Sequence, residues 1–291
     1  MSLTSNPTKS ADTEQSTISA ADVTYFQGLV GQKLAIQLEG KEYLIESRLH
    51  PLLVEFEVES LGELFKRMRS GNAAIEDAAL EAMTTNETSF FRDGHPFEVL
   101  KQHVLPELAA SRGPSGHILI WNGACSSGQE SYSLAMTIME AAPELARSPQ
   151  TKIISTDVSK KMVERCRAGQ YSRFEVNRGL PTNLAAKYFE AAGRNWLVSD
   201  DLRRMIDVRE LNLLERWQGI PRCDVVLLRN VLIYFPVAVK RDILRRIRTD
   251  VLREDGCLIL GASESTVGLD DGYEPRRIAN SNCFFPIGDK G

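Results

Sequence analysis

The chain has 291 residues, 43% of them apolar and 25% charged, enough to build a sizeable core in one large domain or two modest ones. Its 35 Lys and Arg against 39 Asp and Glu leave a formal charge of −4, which argues against nucleic acid as the main partner, because phosphate binding relies on a basic footprint. No apolar run approaches the ~20 residues that cross a bilayer, so the chain is not expected to be a membrane protein.

Residues 1–20 hold nine Ser or Thr and no apolar block, so they are expected to form a disordered tail and no signal peptide. From Ala21 to about Thr84 the pattern is helical. Val23, Phe26, Leu29 and Val30 follow i, i+3, i+4 spacing, and Tyr43, Leu44, Leu49, Leu52 and Leu53 suggest a second helix. Leu61, Leu64, Phe65 and Met68 give a third, stopped at Ser70-Gly71-Asn72, and Ile75 to Met83 a fourth. This block reads as a helical N-terminal domain over residues 21–84.

Residues 85–291 change to alternating strands and helices. Strands are expected at His117–Trp121, Lys152–Thr156, Met205–Glu210, Asp224–Leu228 and Leu258–Gly261, with helices at Glu130–Glu140, Ser159–Ala168 and Val237–Leu252. Short apolar strands between amphipathic helices indicate an α/β fold with a parallel sheet covered on both faces. Cys283–Ile287 reads as a closing edge strand that Pro286 ends. The stretch of about 170–204 is too long for a simple connection and holds Tyr171, Phe174, Tyr188, Phe189 and Trp196, which suggests an inserted subdomain, with Arg194–Asp200 as one half of a small hairpin.

The first of these strands runs into Asn122-Gly123-Ala124-Cys125-Ser126-Ser127-Gly128-Gln129-Glu130. Small residues at a strand-to-helix turn let a ligand approach the backbone, although the spacing is neither a P-loop nor a dinucleotide fingerprint, and a plain tight turn explains it equally well. Asp157, closing the second strand, suits either the hydroxyls of a ribose or the start of the next helix. With no phosphate-gripping Lys nearby, a nucleoside without a pyrophosphate is favoured, and S-adenosylmethionine is such a ligand. The five cysteines (Cys125, Cys166, Cys223, Cys257, Cys283) never occur as C-x-x-C, and read as free thiols of a cytosolic protein. Cys125 lies in the turn, where packing is the expected role, and no metal site is expected.

Asn86-Glu87-Thr88-Ser89-Phe90-Phe91-Arg92 resembles the N-E-T-x-F-F-R block of the CheR family, the chemotaxis receptor glutamate methyltransferases. Ala124 to Met136 resembles that family's A-C-S-T-G-E-E-P-Y-S-L-A-M, with Gln129 in place of the first Glu and Ser131 in place of the Pro. Thr156-Asp157-Val158-Ser159, Asn212-Leu213-Leu214, Arg229 to Phe235, and Gly256 with Gly261-Ala262-Ser263-Glu264 follow in the family's order, so that the likeness spans about Ala21 to Ile287. The resemblance implies a helical receptor-recognition domain, a Rossmann-like methyltransferase sheet and a small inserted β-subdomain. It implies cofactor contacts at Asn86, Thr88, Arg92, Glu130, Asp157, Asn212, Leu213, Arg229 and Asn230, with S-adenosylmethionine as cofactor and S-adenosylhomocysteine as product.

The implied acceptor, a glutamate side chain, is already ionised near neutral pH, so the enzyme's task is positioning and no general base is needed. Arg92 and Tyr234 suit the holding of a carboxylate, with Arg229 as a further cation. The resemblance also implies a cytoplasmic monomer whose partner is the cytoplasmic helical domain of chemotaxis receptors. From Tyr188-Phe189 to Leu197-Val198 only seven residues intervene, a short loop that leads us to expect no binding of a receptor C-terminal pentapeptide. The rival expectation is a module that binds adenosylmethionine for signalling or scaffolding without turnover.

Overall fold

The computed structural model describes residues 18–113 and 116–288. The expected tail lies outside the described residues up to residue 17, and its last residue, Ala20, already opens the first helix. Two compact units divide the chain, one made of residues up to Gln32 with Leu38–Met83, the other of Lys33–Gln37 with Thr84 onward.

The smaller unit contains α1 (Ala20–Leu34) up to Gln32, α2 (Glu42–Glu55), α3 (Leu61–Arg69) and α4 (Ala73–Met83). In α3, the Ser60 hydroxyl caps the first turn by accepting the Glu63 N–H at 3.2 Å. The helix then buries Leu61, Leu64, Phe65 and Met68, one stripe at 3.6-residue spacing. Phe65 meets Phe26 of α1 edge to face at 5.6 Å. Burying each such side chain contributes roughly 1.5–3 kcal/mol, and Val30, Ile45, Leu49, Ile75 and Ala79 are among the other buried side chains.

The larger unit begins with α5 (His95–Val99), a π turn at Leu100–Val104, and α6 (Leu105–Arg112). The sequence pattern hid this helical stretch because it carries Pro96 and Pro106. Pro96 stands in the first turn of α5, where the missing N–H leaves no bond unmade, and Pro106 follows directly on the π turn, where the helical bonding pattern changes.

Alternation follows through β1 (Leu119–Gly123), α7 (Gln129–Ala141), α8 (Pro143–Arg147), β2 (Lys152–Asp157) and α9 (Lys160–Ala168). The inserted subdomain comprises β3 (Gln170–Ser172), α10 (Arg173–Asn177), α11 (Thr182–Tyr188), β4 (Phe189–Ala192) and β5 (Asn195–Val198), a three-stranded antiparallel sheet in the order β3-β5-β4. The main sheet resumes after α12 (Asp200–Arg203) with β6 (Ile206–Glu210), β7 (Cys223–Leu228), α13 (Val237–Arg246), β8 (Leu252–Leu260), β9 (Tyr273–Ile278) and β10 (Ser281–Pro286).

Its order is β6-β2-β1-β7-β8-β10-β9, with the first five strands parallel and β10 antiparallel to both neighbours. Side chains alternate between two buried clusters. Ile120, Ile153 and Val225 face one side, and Trp121, Ile154 and Val226 the other, so helices cover both faces. The chain builds outward from β1 through β2 to β6, then returns to lay β7 on the other side of β1. That reversal opens a crevice at the carboxyl ends of β1 and β7, where open α/β sheets bind ligands.

Three expectations are corrected. The C-terminal strand is not the edge: β10 lies between β8 and β9, and the edge is β9. Tyr-Glu-Pro-Arg-Arg-Ile shows little apolar alternation because the edge strand leaves four of its six residues exposed. The first strand is displaced from His117–Trp121 to Leu119–Gly123, and the last helix ends at Arg246 in a π turn, with Leu252 already in β8.

Candidate cofactor and acceptor site

The turn after β1 owes its shape to left-handed backbone at Ala124 (φ 55°), Ser126 (φ 50°) and Gly128 (φ 94°). Such conformations cost free energy at non-glycine residues and persist only where the surroundings hold them. Asp157, the last residue of β2, supplies one hold: its Oδ2 accepts the Ser126 N–H at 2.7 Å, while Oδ1 accepts the Ser159 N–H at 2.9 Å. The helix cap itself is Ser159, whose hydroxyl accepts the Met162 N–H at 3.0 Å.

The turn is packed too closely for larger residues. A Cβ on Gly128 would stand 2.5 Å from Cys166 Sγ, and one on Gly123 would stand 2.8 Å from Leu228 Cδ1. Tyr171 of β3 reaches under the turn and donates to the Ser127 carbonyl at 2.7 Å, and its ring meets Phe90 at 5.1 Å. Cys125 is wholly buried, and its neighbouring thiol Cys166 together with burial pushes its thiol well above the ordinary range. A neutral, enclosed thiol is a packing group.

Glu130, in the first turn of α7, forms a buried ion pair with Arg229, which follows β7. Burial pushes the Glu130 carboxyl above the usual carboxylate range, and Arg229 opposes this without cancelling it. Arg229 Nη2 also donates to Asp93 Oδ2 at 2.6 Å and to the Arg92 carbonyl at 3.0 Å. Its guanidinium thus binds α7 to the Phe90–Asp93 loop, in which Phe91 (φ 48°) and Asp93 (φ 67°) are left-handed. Arg229 therefore faces inward, and the half-buried Arg92, whose Nη1 donates to the Glu87 carbonyl at 2.8 Å, is the cation nearer the surface.

Asn86 and Thr88 are half-buried. The Ser126 hydroxyl donates to the Asn86 carbonyl at 2.8 Å, so the two loops are joined. A cavity of about 150 Å³ is lined by Asn86, Thr88, Ser127 and Gln129, and an adjoining one of about 360 Å³ by Thr88, Arg92 and Asp93. Asn212 accepts the Leu214 N–H at 3.0 Å, and its Nδ2 donates at 2.8 Å to Lys33, in the segment that belongs to this unit. Leu213 is buried in the cluster around Trp121.

Asn230 takes a left-handed conformation (φ 58°) directly after Arg229. A short 3₁₀ turn, Leu232–Tyr234, follows. Leu232 is buried, but Tyr234 is 37% exposed, so this apolar-looking run is not simply core. Sequence reasoning assigned no role to Glu264. Its buried carboxylate accepts the N–H groups of Asn230 and Gly261, both at 2.8 Å, of Val231 at 3.0 Å and of Ile233 at 3.3 Å. The signal was present in Gly261-Ala262-Ser263-Glu264: a Cβ on Gly261 would lie 2.6 Å from Glu264 Oε2. Among the described residues Arg229 Nε and Asn122 Oδ1 are buried with no hydrogen-bond partner, as are Ser199 Oγ, Arg203 Nε and Arg253 Nε elsewhere in the unit.

A family profile described as "CheR methyltransferase, SAM binding domain" matches residues 86–280. Chemotaxis protein methyltransferase 1 of Pseudomonas aeruginosa is 42% identical over 260 residues, 87% of this chain and 93% of the relative. A chemotaxis protein methyltransferase of Vibrio parahaemolyticus is 41% identical over 264 residues, 89% of this chain and 94% of the relative. That of Escherichia coli is 30% identical over 265 residues, 89% of each chain.

Proposed function

The chain belongs to the CheR methyltransferase family, whose matched domain binds S-adenosylmethionine, and we propose that it esterifies glutamate side chains of chemotaxis receptors in the cytoplasm. The observation that carries this reading is the left-handed turn after β1 held by Asp157, beside the Arg229 network that anchors Arg92.

The donor set fits the cofactor. Asp157 stands at the carboxyl end of β2, where a carboxylate can accept ribose hydroxyls, Glu130 offers a carboxylate to an ammonium group, and Arg229 Nε is a buried donor without a partner among the described residues. Asn86, Thr88, Arg92, Asn212, Leu213 and Asn230 are the remaining residues proposed to hold it. When bound, the cofactor supplies a methyl group that its sulfonium already makes electrophilic.

The protein's own residues then have a positioning task. Arg92 and the Tyr234 hydroxyl orient the acceptor carboxylate, which arrives ionised and needs no base. A single orienting contact from each suits the reaction better than a tight bidentate clamp, because strong charge pairing would quench the nucleophile. Among the described residues no helix is long and apolar enough to cross a membrane, which suits a protein that reaches receptors from the aqueous side.

Transfer of labelled methyl from adenosylmethionine to receptor-containing membranes tests the reading, because a glutamyl ester releases its label in mild base. Tight product binding with no base-labile transfer would instead favour the non-catalytic signalling or scaffold role.

A further inference from the structure

Between Lys160 and Val198 the chain carries eight Lys or Arg against three Asp or Glu, although its overall formal charge is −4. α9 and the inserted subdomain therefore form a net-positive stretch of the larger unit. Within this stretch α10 is fixed by a reciprocal cap: the Ser172 hydroxyl accepts the Glu175 N–H, and Glu175 accepts the Ser172 N–H at 2.9 Å. With Val176 buried, the helix turns Arg173, Phe174 and Asn177 outward, with Arg178 following.

Phe174 is 75% exposed. Arg165 pairs with Glu175 at 2.6 Å and Arg178 with Glu87 at 3.2 Å, whereas Arg173 makes no side-chain hydrogen bond or ion pair among the described residues. Phe174 and Arg178 line the smaller cavity with Asn86 and Thr88, and Arg178 also lines the larger one with Arg92. The surface thus runs without a break into the side of the site where the acceptor is proposed to sit.

A bare aromatic ring among cations fits a partner segment that presents carboxylates around an apolar side chain. We propose that Arg173, Phe174 and Arg178 form a docking surface for an acidic segment of the acceptor protein, an apolar side chain of that segment resting on Phe174 while its glutamate reaches Arg92. This rests on the reading of the protein as a receptor glutamate methyltransferase. Charge complementarity selects the occupant: a substrate rich in glutamates is drawn to a net-positive stretch that borders the site.

The test is steady-state methylation of receptor-containing membranes by the full chain across a salt series. Arg173→Glu is expected to raise KM for receptor about tenfold, equivalent to about 1.4 kcal/mol, with kcat at saturation retained and the salt dependence flattened. Arg173→Lys should restore wild-type behaviour. Phe174→Ala should raise KM while the salt dependence persists. If the wild-type protein transfers no methyl to receptors, both the functional reading and the docking surface fall. If it does, and both Arg173→Glu and Phe174→Ala keep the wild-type KM, the docking surface alone falls. It falls equally if Arg173 governs binding only to receptor-free phosphatidylglycerol vesicles while KM for receptor stays unchanged.

Discussion

The Glu264 carboxylate accepts the backbone N–H of Asn230 at 2.8 Å, and so holds that residue in a left-handed conformation at the carboxyl end of β7. The same carboxylate receives the N–H groups of Gly261, Val231 and Ile233, and therefore caps the whole turn that leads to Tyr234. One buried acid does for this loop what a helix cap does for an orphaned N-terminus. Glu264→Gln places an NH₂ group where an acceptor is required. The variant should lose about 2 kcal/mol of stability, the range for hydrogen bonds to a charged group, and its kcat should fall at least tenfold as Tyr234 loses its position. Chemical denaturation and methyl-transfer assays on one preparation would check both. Wild-type turnover would mean that the loop holds its shape unaided.

Asp157 bridges two backbone amides and is also the proposed ribose acceptor, so removing its carboxylate should act twice. Asp157→Ala is expected to weaken binding of S-adenosylhomocysteine by about 1–3 kcal/mol and to loosen the Ser126 turn. Calorimetry gives the affinity, and amide exchange at Ser126 reports the turn. An unchanged affinity alongside faster exchange would restrict Asp157 to a structural role.

Glu130, the proposed partner of the cofactor's ammonium group, is expected to give binding a pH dependence. Burial raises its pKa above the ordinary carboxylate range, with Arg229 and Arg92 opposing. The ammonium group of a bound product favours the ionised carboxylate and so lowers that pKa. Affinity should therefore hold steady above the raised pKa and decline as pH falls through it, approaching about tenfold per pH unit. In Glu130→Gln the neutral-pH affinity should be lower and this part of the decline absent. Superimposable wild-type and Glu130→Gln profiles would rule Glu130 out as the titrating group.

Much of this architecture was legible because local signals agreed with tertiary ones. Val23 to Val30 and Leu61 to Met68 carry a helical stripe that the folded unit buries, and Ile153 and Ile154 are adjacent apolar residues because both faces of β2 are buried. β9 escaped notice because, as an edge strand, it exposes most of its side chains. The helical stretch His95–Arg112 was hidden by two prolines, Pro96 in its first turn and Pro106 just after the π turn. Arg229 was read as a cation available to ligands, whereas its partners, Asp93 and Glu130, come from segments 136 and 99 residues away, and spacing alone reveals no such meeting. Glu264 was legible only as a motif letter, since its four partners are backbone amides, which no side-chain pattern records.

Arg92 and Tyr234 are expected to fail in different ways. The Tyr234 side chain is more than a third exposed, on a turn held through backbone amides, so Tyr234→Phe removes one donor and disturbs no packing. Folding and product affinity should stay at wild-type values while kcat falls, because misalignment of two reactants alone can cost on the order of 10²-fold. Arg92 is bound more deeply into the site. Its guanidinium holds the Glu87 carbonyl at 2.8 Å, its own carbonyl is held by Arg229 at 3.0 Å, and its charge acts on Glu130. Arg92→Ala should therefore lower kcat and also weaken product binding, whereas Tyr234→Phe should lower kcat almost alone. The contrast between the two variants, measured on one receptor preparation with calorimetry in parallel, separates acceptor positioning from cofactor binding. Wild-type methylation by Tyr234→Phe would remove Tyr234 from the acceptor site and leave Arg92 as its only assigned contact.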